Sequence, residues 1–166
     1  MTKLIELTEI VLFDWGNTLM VDFPEAQGKM CDWEVVEEVA GAREVLVALS
    51  KQHKLYVATN AADSTEQDII QAFERVGLSQ YLSGYFCKAS LGVSKYDSDF
   101  YPAIITQLGV QAQDVTMIGD TLEKDIYPAL ASGLHAVWLN TRDKALDDAV
   151  NLAIVQIQSL IQLVET

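Results

Sequence analysis

Glu9-Ile10-Val11-Leu12-Phe13-Asp14-Trp15-Gly16-Asn17-Thr18 is an apolar run that ends on a carboxylate and falls straight into a turn. Short, continuous apolar stretches bounded by turn formers read as strands buried on both faces, the kind found in parallel sheets sandwiched between helices. The pattern recurs outward from this point. Leu55–Ala58 ends at Thr59-Asn60, Asp114–Ile118 runs into Gly119-Asp120, and Ala136–Leu139 follows Gly133. Tyr85–Lys88 gives a weaker third strand, and Ala153–Ile157 a last edge strand.

Helical patterns fill the intervals. Val35, Val36, Val39, Ala42, Val45, Leu46 and Leu49 recur at helical spacing, with Gly41 as a break between two pieces. Asp63-Ser64-Thr65-Glu66-Gln67 reads as a capped start, followed by Ile69, Ile70, Phe73 and Val76 on one face and Gly77 as the stop. Asp97–Leu108 carries Phe100, Ile104 and Leu108 on one stripe, and Pro102 is tolerable only near its first turn. Glu123–Ser132 makes a helix closed by Gly133, and Ser159–Val164 a final one. Residues 19–33, with Pro24, Gly28 and scattered charges, read as a loop or flap. The alternation predicts an α/β fold: a parallel sheet of five or six strands with helices on both faces, residues 1–166 forming one domain.

Composition narrows the function. A chain of 166 residues can bury a core without staples. Its 24 Asp and Glu against 11 Lys and Arg give a net charge of −13, a field that repels nucleic acid and acidic membranes. Neither is an expected partner. With no membrane-length apolar run and no signal-peptide pattern, the expected location is the cytoplasm. Cys31 and Cys87 lack any metal-binding or redox spacing and read as free thiols; His53 and His135 are likewise isolated. The same field repels phosphate esters, so a phosphate-handling site in this chain needs a metal ion or a positioned lysine to invert the local potential.

Polar signatures fall where strands end, the place where open α/β sheets bind ligands. They are Asp14-Trp15-Gly16-Asn17-Thr18, Thr59-Asn60, Lys95, and Gly119-Asp120 with Asp125. Singly each has a plainer reading as a turn, a helix cap or a solvated charge. In order, they resemble the haloacid dehalogenase-like hydrolases, a superfamily dominated by magnesium-dependent phosphatases with a Rossmann-like core. V-L-F-D-W-G-N-T-L matches the first motif, L-Y-V-A-T-N the second, S-K-Y-D-S-D-F-Y the third and M-I-G-D-T-L-E-K-D-I-Y-P-A-L-A-S-G-L the fourth. The flanks G-A-R-E-V-L and H-A-V-W-L-N match as well, so the likeness spans roughly residues 9–141.

The resemblance implies a set of roles. Asp14 is the nucleophile, whose carboxylate attacks phosphorus to form an aspartyl-phosphate. Mg²⁺ is held by Asp14, the backbone carbonyl of Gly16 and Asp120, with Asp125 supporting the ion through water or orienting Lys95. Thr59 offers its hydroxyl and Asn60 a backbone N–H to the phosphoryl oxygens, and Lys95 brings fixed positive charge. The expected partner is a phosphorylated substrate.

Two departures qualify that expectation. The phosphatases of the superfamily carry a second aspartate two residues after the nucleophile, as acid toward the leaving alkoxide and base toward water. Here that position is Gly16, which lacks a side chain for the task, and Asp22 on the flap is a candidate substitute. Tyr96 also stands where a proline commonly follows the lysine. In addition, the intervals 19–58 and 61–94 leave no room for a sizeable cap domain. An open site suits a bulky or macromolecular phosphate, or cover by a second subunit through Met20, Phe23 and Trp33; the plainer role of those three is packing the flap. Two alternatives stand beside the enzyme: a non-catalytic phosphate- or protein-binding module, and a phospho-acceptor signalling receiver. The order of the acidic residues along the strands disfavours the receiver.

Overall fold

The computed structural model describes residues 3–145 and 154–165. Six strands, β1 (Ile10–Phe13), β2 (Lys54–Ala58), β3 (Gly84–Phe86), β4 (Val115–Gly119), β5 (His135–Leu139) and β6 (Val155–Ile157), form one sheet in the order β3-β2-β1-β4-β5-β6. Every neighbouring pair is parallel. From β1 the chain winds outward to β3, then crosses back so that β4 lies on the other side of β1. The crevice between the C-terminal ends of β1 and β4 is therefore the switch point of the sheet, where a ligand can sit between diverging connections.

Helices α1 (Lys3–Glu6), α2 (Ala42–Leu49), α3 (Glu66–Arg75), α4 (Lys88–Leu91), α5 (Phe100–Leu108) and α6 (Tyr127–Ala131) connect the strands. Side chains alternate across each strand, so β1 feeds both layers. Val11 and Phe13 pack with Val45, Leu46 and Leu49 of α2 and with Ile69 and Phe73 of α3. Ile10 and Leu12 pack on the opposite face with Phe100 and Ile104 of α5 and Ala129 of α6. Residues 10–13 are all buried. Burial of such a side chain is worth about 1.5–3 kcal/mol, and a one-residue slip would exchange the two sets, so the register is firmly held.

α3 begins as its sequence predicts, with a reciprocal cap in which Thr65 Oγ1 accepts from Asp68 N (3.3 Å) and Asp68 Oδ2 accepts from Thr65 N (2.8 Å). Asp68 also receives Lys29 Nζ at 2.8 Å, and Arg75 donates to the carbonyls of Cys31, Trp33 and Glu34. The segment 29–34 is thus strapped onto α3, and Met30–Asp32 winds into a single 3₁₀ turn there. Among the described residues, no further domain is inserted between β1 and β3: the first interval holds this flap and α2, the second α3.

Four expectations need correction. The stretch before Gly41 is not helical. Its backbone pairs instead with the start of the flap: Val21 N donates to Glu37 O and Val39 N to Leu19 O, both at 2.9 Å. The third strand stops at Phe86, and Lys88 opens α4 rather than ending a strand. The closing element over 159–164 is only a 3₁₀ turn, Leu160–Leu163, and the start of the last strand at Ala153 lies outside the described residues. Met20 is fully buried in the core, so it is no surface contact; Phe23 and Trp33 lean on each other with ring centroids 6.4 Å apart. Cys87 is buried and Cys31 half-buried, both as free thiols. No helix among the described residues is long and apolar enough to cross a membrane.

Candidate active site

Asp14 leaves β1 at the switch point, its N–H donating to Ile118 O of β4 at 2.9 Å, which pins the chain as it enters the turn. Its carboxylate is nearly buried and doubly engaged. Lys95 Nζ donates to Oδ1 at 2.6 Å, and Thr18 Oγ1 to Oδ2 at 3.3 Å. The turn is tight because Asn17 adopts a left-handed φ of 59°, and Asn17 N donates to Met20 O at 2.6 Å.

Lys95 arrives on the loop between α4 and α5 and is 1% exposed. Burial alone would discharge its ammonium, yet the charges of Asp14 and Asp125 outweigh that and hold its pKa above the ordinary value. The Asn60 side chain fixes the loop: its Oδ1 accepts from Lys95 N at 2.9 Å. Thr59 is buried at the end of β2, with its N–H donating to Phe86 O of β3 and its hydroxyl accepting from Ala61 N at 3.2 Å.

Asp125 owes its position to an irregularity. Residues 122–126 form a π-helical turn before α6, with Tyr127 N reaching back to Leu122 O, a feature often found at functional sites. The wide turn swings Asp125 inward, where Oδ1 accepts from Lys95 Nζ at 2.7 Å and Oδ2 from Thr121 N at 3.0 Å. Tyr101 Oη donates to Lys124 O at 2.9 Å and braces the same turn. Only glycine fits at position 119, since a Cβ there would overlap the Asp125 side chain. Asp120 is held by its own backbone: Trp138 Nε1 donates to its carbonyl at 3.0 Å, while Thr121 Oγ1 donates to its carboxylate at 3.2 Å.

The sheet therefore brings Asp14, Asp120 and Asp125 together, with carboxylate oxygens within 4.8 Å of one another. Among the described residues, Lys95 is ion-paired with two of these three carboxylates, Asp14 and Asp125. Burial and the negative charge of Asp14 both push the Asp120 and Asp125 carboxyls above the ordinary range, and Lys95 only partly opposes this at Asp125. Such a cluster is short of positive charge, and its hard oxygen donors match a divalent cation such as Mg²⁺.

Around it opens a cleft of about 560 Å³, lined by Asp14, Gly16, Thr59, Asn60, Lys95, Asp120 and Asp125. The seven residues to which the resemblance gives site roles thus line one cleft. The far wall comes from the flap, through Ala26, Gly28, Met30 and Trp33. Of that wall the sequence named only Trp33 as a candidate contact, and it gave Thr18 no role of its own. Thr18 lies within the first motif, whereas nothing local marks the flap residues as facing the site.

A family model described as haloacid dehalogenase-like hydrolase matches residues 11–139. Among curated proteins, the chain is 27% identical over 118 residues to the pyrimidine 5'-nucleotidase YjjG of Escherichia coli (strain K12), covering 70% of this chain and 51% of that protein. It is 33% identical over 103 residues to the N-acylneuraminate-9-phosphatase of Homo sapiens, covering 59% and 39%. The chain thus spans about half, or less, of the length of these relatives. In architecture it is similar to an uncharacterized protein from Listeria monocytogenes serotype 4b, with a TM-score of 0.80, 23% identity, and coverage of 95% and 94%.

Proposed function

This chain belongs to the haloacid dehalogenase-like hydrolases, and we propose that it is a magnesium-dependent phosphatase working through an aspartyl-phosphate on Asp14. The observation that carries this reading is the cluster itself: Asp14, Asp120 and Asp125 packed within 4.8 Å against one buried lysine, at the switch point of the sheet. Three carboxylates are costly to hold so close without further positive charge. Asp14, the Gly16 carbonyl and Asp120 would hold Mg²⁺, which supplies the charge that lets a carboxylate approach a phosphoryl group. Both oxygens of Asp125 already accept hydrogen bonds from Lys95 and Thr121, which supports the orienting role for it.

The chain's own groups then divide the work. Asp14 is fixed by Lys95 and Thr18 with its carboxylate toward the cleft. Its Oδ attacks phosphorus as the ester P–O bond breaks, and water later releases the phosphoryl group. The Thr59 hydroxyl and the Asn60 backbone N–H donate to the phosphoryl oxygens. Loss of one such preorganised donor typically costs about 10²–10³ in rate. The relatives named as phosphatase and nucleotidase support a phosphorylated substrate, and the open cleft leaves room for a bulky one. Residues 1–166 are read as a single domain with the flap in place of a cap.

Gly16 favours a second reading, a binding module that kept the site without turnover. Hydrolysis of an aryl phosphate by the parent and by Asp14→Asn, with and without millimolar Mg²⁺, decides between them. The enzyme reading expects turnover that requires both Asp14 and Mg²⁺. Equal rates for parent and Asp14→Asn would overturn it.

A further inference from the structure

Gly16 leaves the site without a carboxyl group where an acid and base is needed, and the fold brings another one beside it. A Cβ built on Gly16 would meet Asp22 Cβ at 3.4 Å and Asp22 Oδ2 at 3.6 Å, ordinary contact distances. A side chain at position 16 and the side chain of Asp22 would therefore share one patch of cleft wall. Asp22 lines the same cleft as Asp14, Thr59 and Lys95.

The approach is built rather than incidental. The left-handed Asn17 reverses the chain, and Asn17 Oδ1 accepts from Asp22 N at 3.0 Å, setting the start of the flap against the nucleophile turn. Met20 is buried in the core, and Val21 N donates to Glu37 O, so the residues just before Asp22 are anchored on two sides. Among the described residues, the Asp22 carboxylate itself has no hydrogen-bond or ion-pair partner. It is exposed, held at its backbone, and free at its functional end.

We propose that Asp22 is a further catalytic residue, the general acid and base that position 16 lacks. This rests on the phosphatase reading above. In the first step an Asp14 oxygen bonds to phosphorus, the ester P–O bond breaks, and the Asp22 carboxyl gives its proton to the departing alkoxide, which leaves as the alcohol. In the second step the Asp22 carboxylate takes a proton from water as the water oxygen bonds to phosphorus. The bond between Asp14 and phosphorus breaks, inorganic phosphate leaves, and Asp22 is again protonated for the next cycle.

The test compares p-nitrophenyl phosphate, whose leaving group is stable as an anion, with glycerol phosphate, whose alkoxide needs a proton. Parent, Asp22→Asn, Asp22→Glu, Asp14→Asn and the double variant Gly16→Asp/Asp22→Asn are assayed with Mg²⁺, with intact-mass detection of the phosphorylated protein. Asp22→Asn should lower glycerol phosphate turnover by about 10²–10⁴-fold. With the aryl ester it should still give a burst of nitrophenolate and then accumulate phospho-Asp14, because the second step lacks its base. Asp22→Glu should keep part of the alkyl activity. Gly16→Asp should recover about tenfold or more of what Asp22→Asn loses, since a side chain at 16 occupies the same patch. Parental glycerol phosphate turnover by Asp22→Asn, with Asp14→Asn inactive, would overturn the role of Asp22 and leave the phosphatase reading standing. Equal losses of the aryl burst and of alkyl turnover would also overturn it, because proton transfer alone spares the burst. Asp14→Asn matching the parent would overturn both.

Discussion

Raising the pH of the metal-free protein should destabilise it, and Mg²⁺ should cancel most of the loss. Asp125 is 1% exposed, and burial followed by repulsion from Asp14 pushes its pKa from 3.8 up to about 7. Between those values the native state holds a proton that the unfolded chain has released, so stability is greatest at the acid end and falls as pH rises through the window. Three pKa units at 1.36 kcal/mol each set a ceiling of about 4 kcal/mol on the loss from Asp125. For a chain of this size each kcal/mol moves Tm by roughly 2–4 °C, so the metal-free Tm should fall by roughly 8–16 °C at most between pH 4 and 8. A divalent cation favours the ionised carboxylates. At a hundred times its Kd it returns about 2.7 kcal/mol, and this gain should shrink toward pH 4, where the carboxyls are protonated. Thermal melts of EDTA-dialysed protein at each pH, with MgCl₂ against KCl at matched ionic strength, measure both slopes. A Tm with the same pH dependence in both salts would refute the charge deficit and the metal site with it.

Two further perturbations probe the same cluster. Lys95→Met removes the only ammonium among the described residues that Asp14 and Asp125 touch and should cost about 3–5 kcal/mol at neutral pH, read as a lower urea midpoint, with part of it regained in Mg²⁺. Gly119→Ala places a Cβ where the Asp125 side chain lies, and should cost about 1–3 kcal/mol and weaken the Mg²⁺-dependent rise in Tm; an unchanged melt and an unchanged response would show that Asp125 can move without consequence.

The strands were legible because β1, β4 and β5 are buried along nearly their whole length, and β2 along all but its Lys54 and Tyr56 positions, so each spells itself as an apolar run ending on polar residues. β3 is three residues long and gave a correspondingly weak signal. The misread piece before Gly41 shows where periodicity fails. Val36 and Val39 do face the core, but they do so from an extended segment whose backbone partners are Leu19 and Val21, far away in sequence. Spacing alone cannot separate these cases when a segment is short. The π-helical turn at 122–126 has no sequence signature either; it is held by Tyr101 from α5 and by the Asp125–Lys95 pair, neither of which is local.

The candidate site was legible residue by residue, but its electrostatics were not. Asp14, Thr59 and Asp120 could be placed from strand ends, while Lys95 rides on a loop and Asp125 on an irregular turn, so their meeting at 2.7 Å depends on tertiary packing. The net charge of −13 posed the question of how such a chain could hold a phosphate ester, and a positioned lysine answers it only in part. Five aspartates, Asp14, Asp22, Asp63, Asp120 and Asp125, line the cleft against Lys95 and Lys124. A divalent cation reduces that excess without abolishing it, so long-range attraction contributes little to substrate capture. If the chain binds a phosphate ester as proposed, affinity must then come from short-range, directed contacts: N–H and hydroxyl donors near Thr59 for the phosphoryl oxygens, and the flap wall of Met30 and Trp33 for the rest of the molecule. On the proposed phosphatase reading, selectivity among phosphate esters therefore resides in the flap, the part of the cleft that the motifs do not mark.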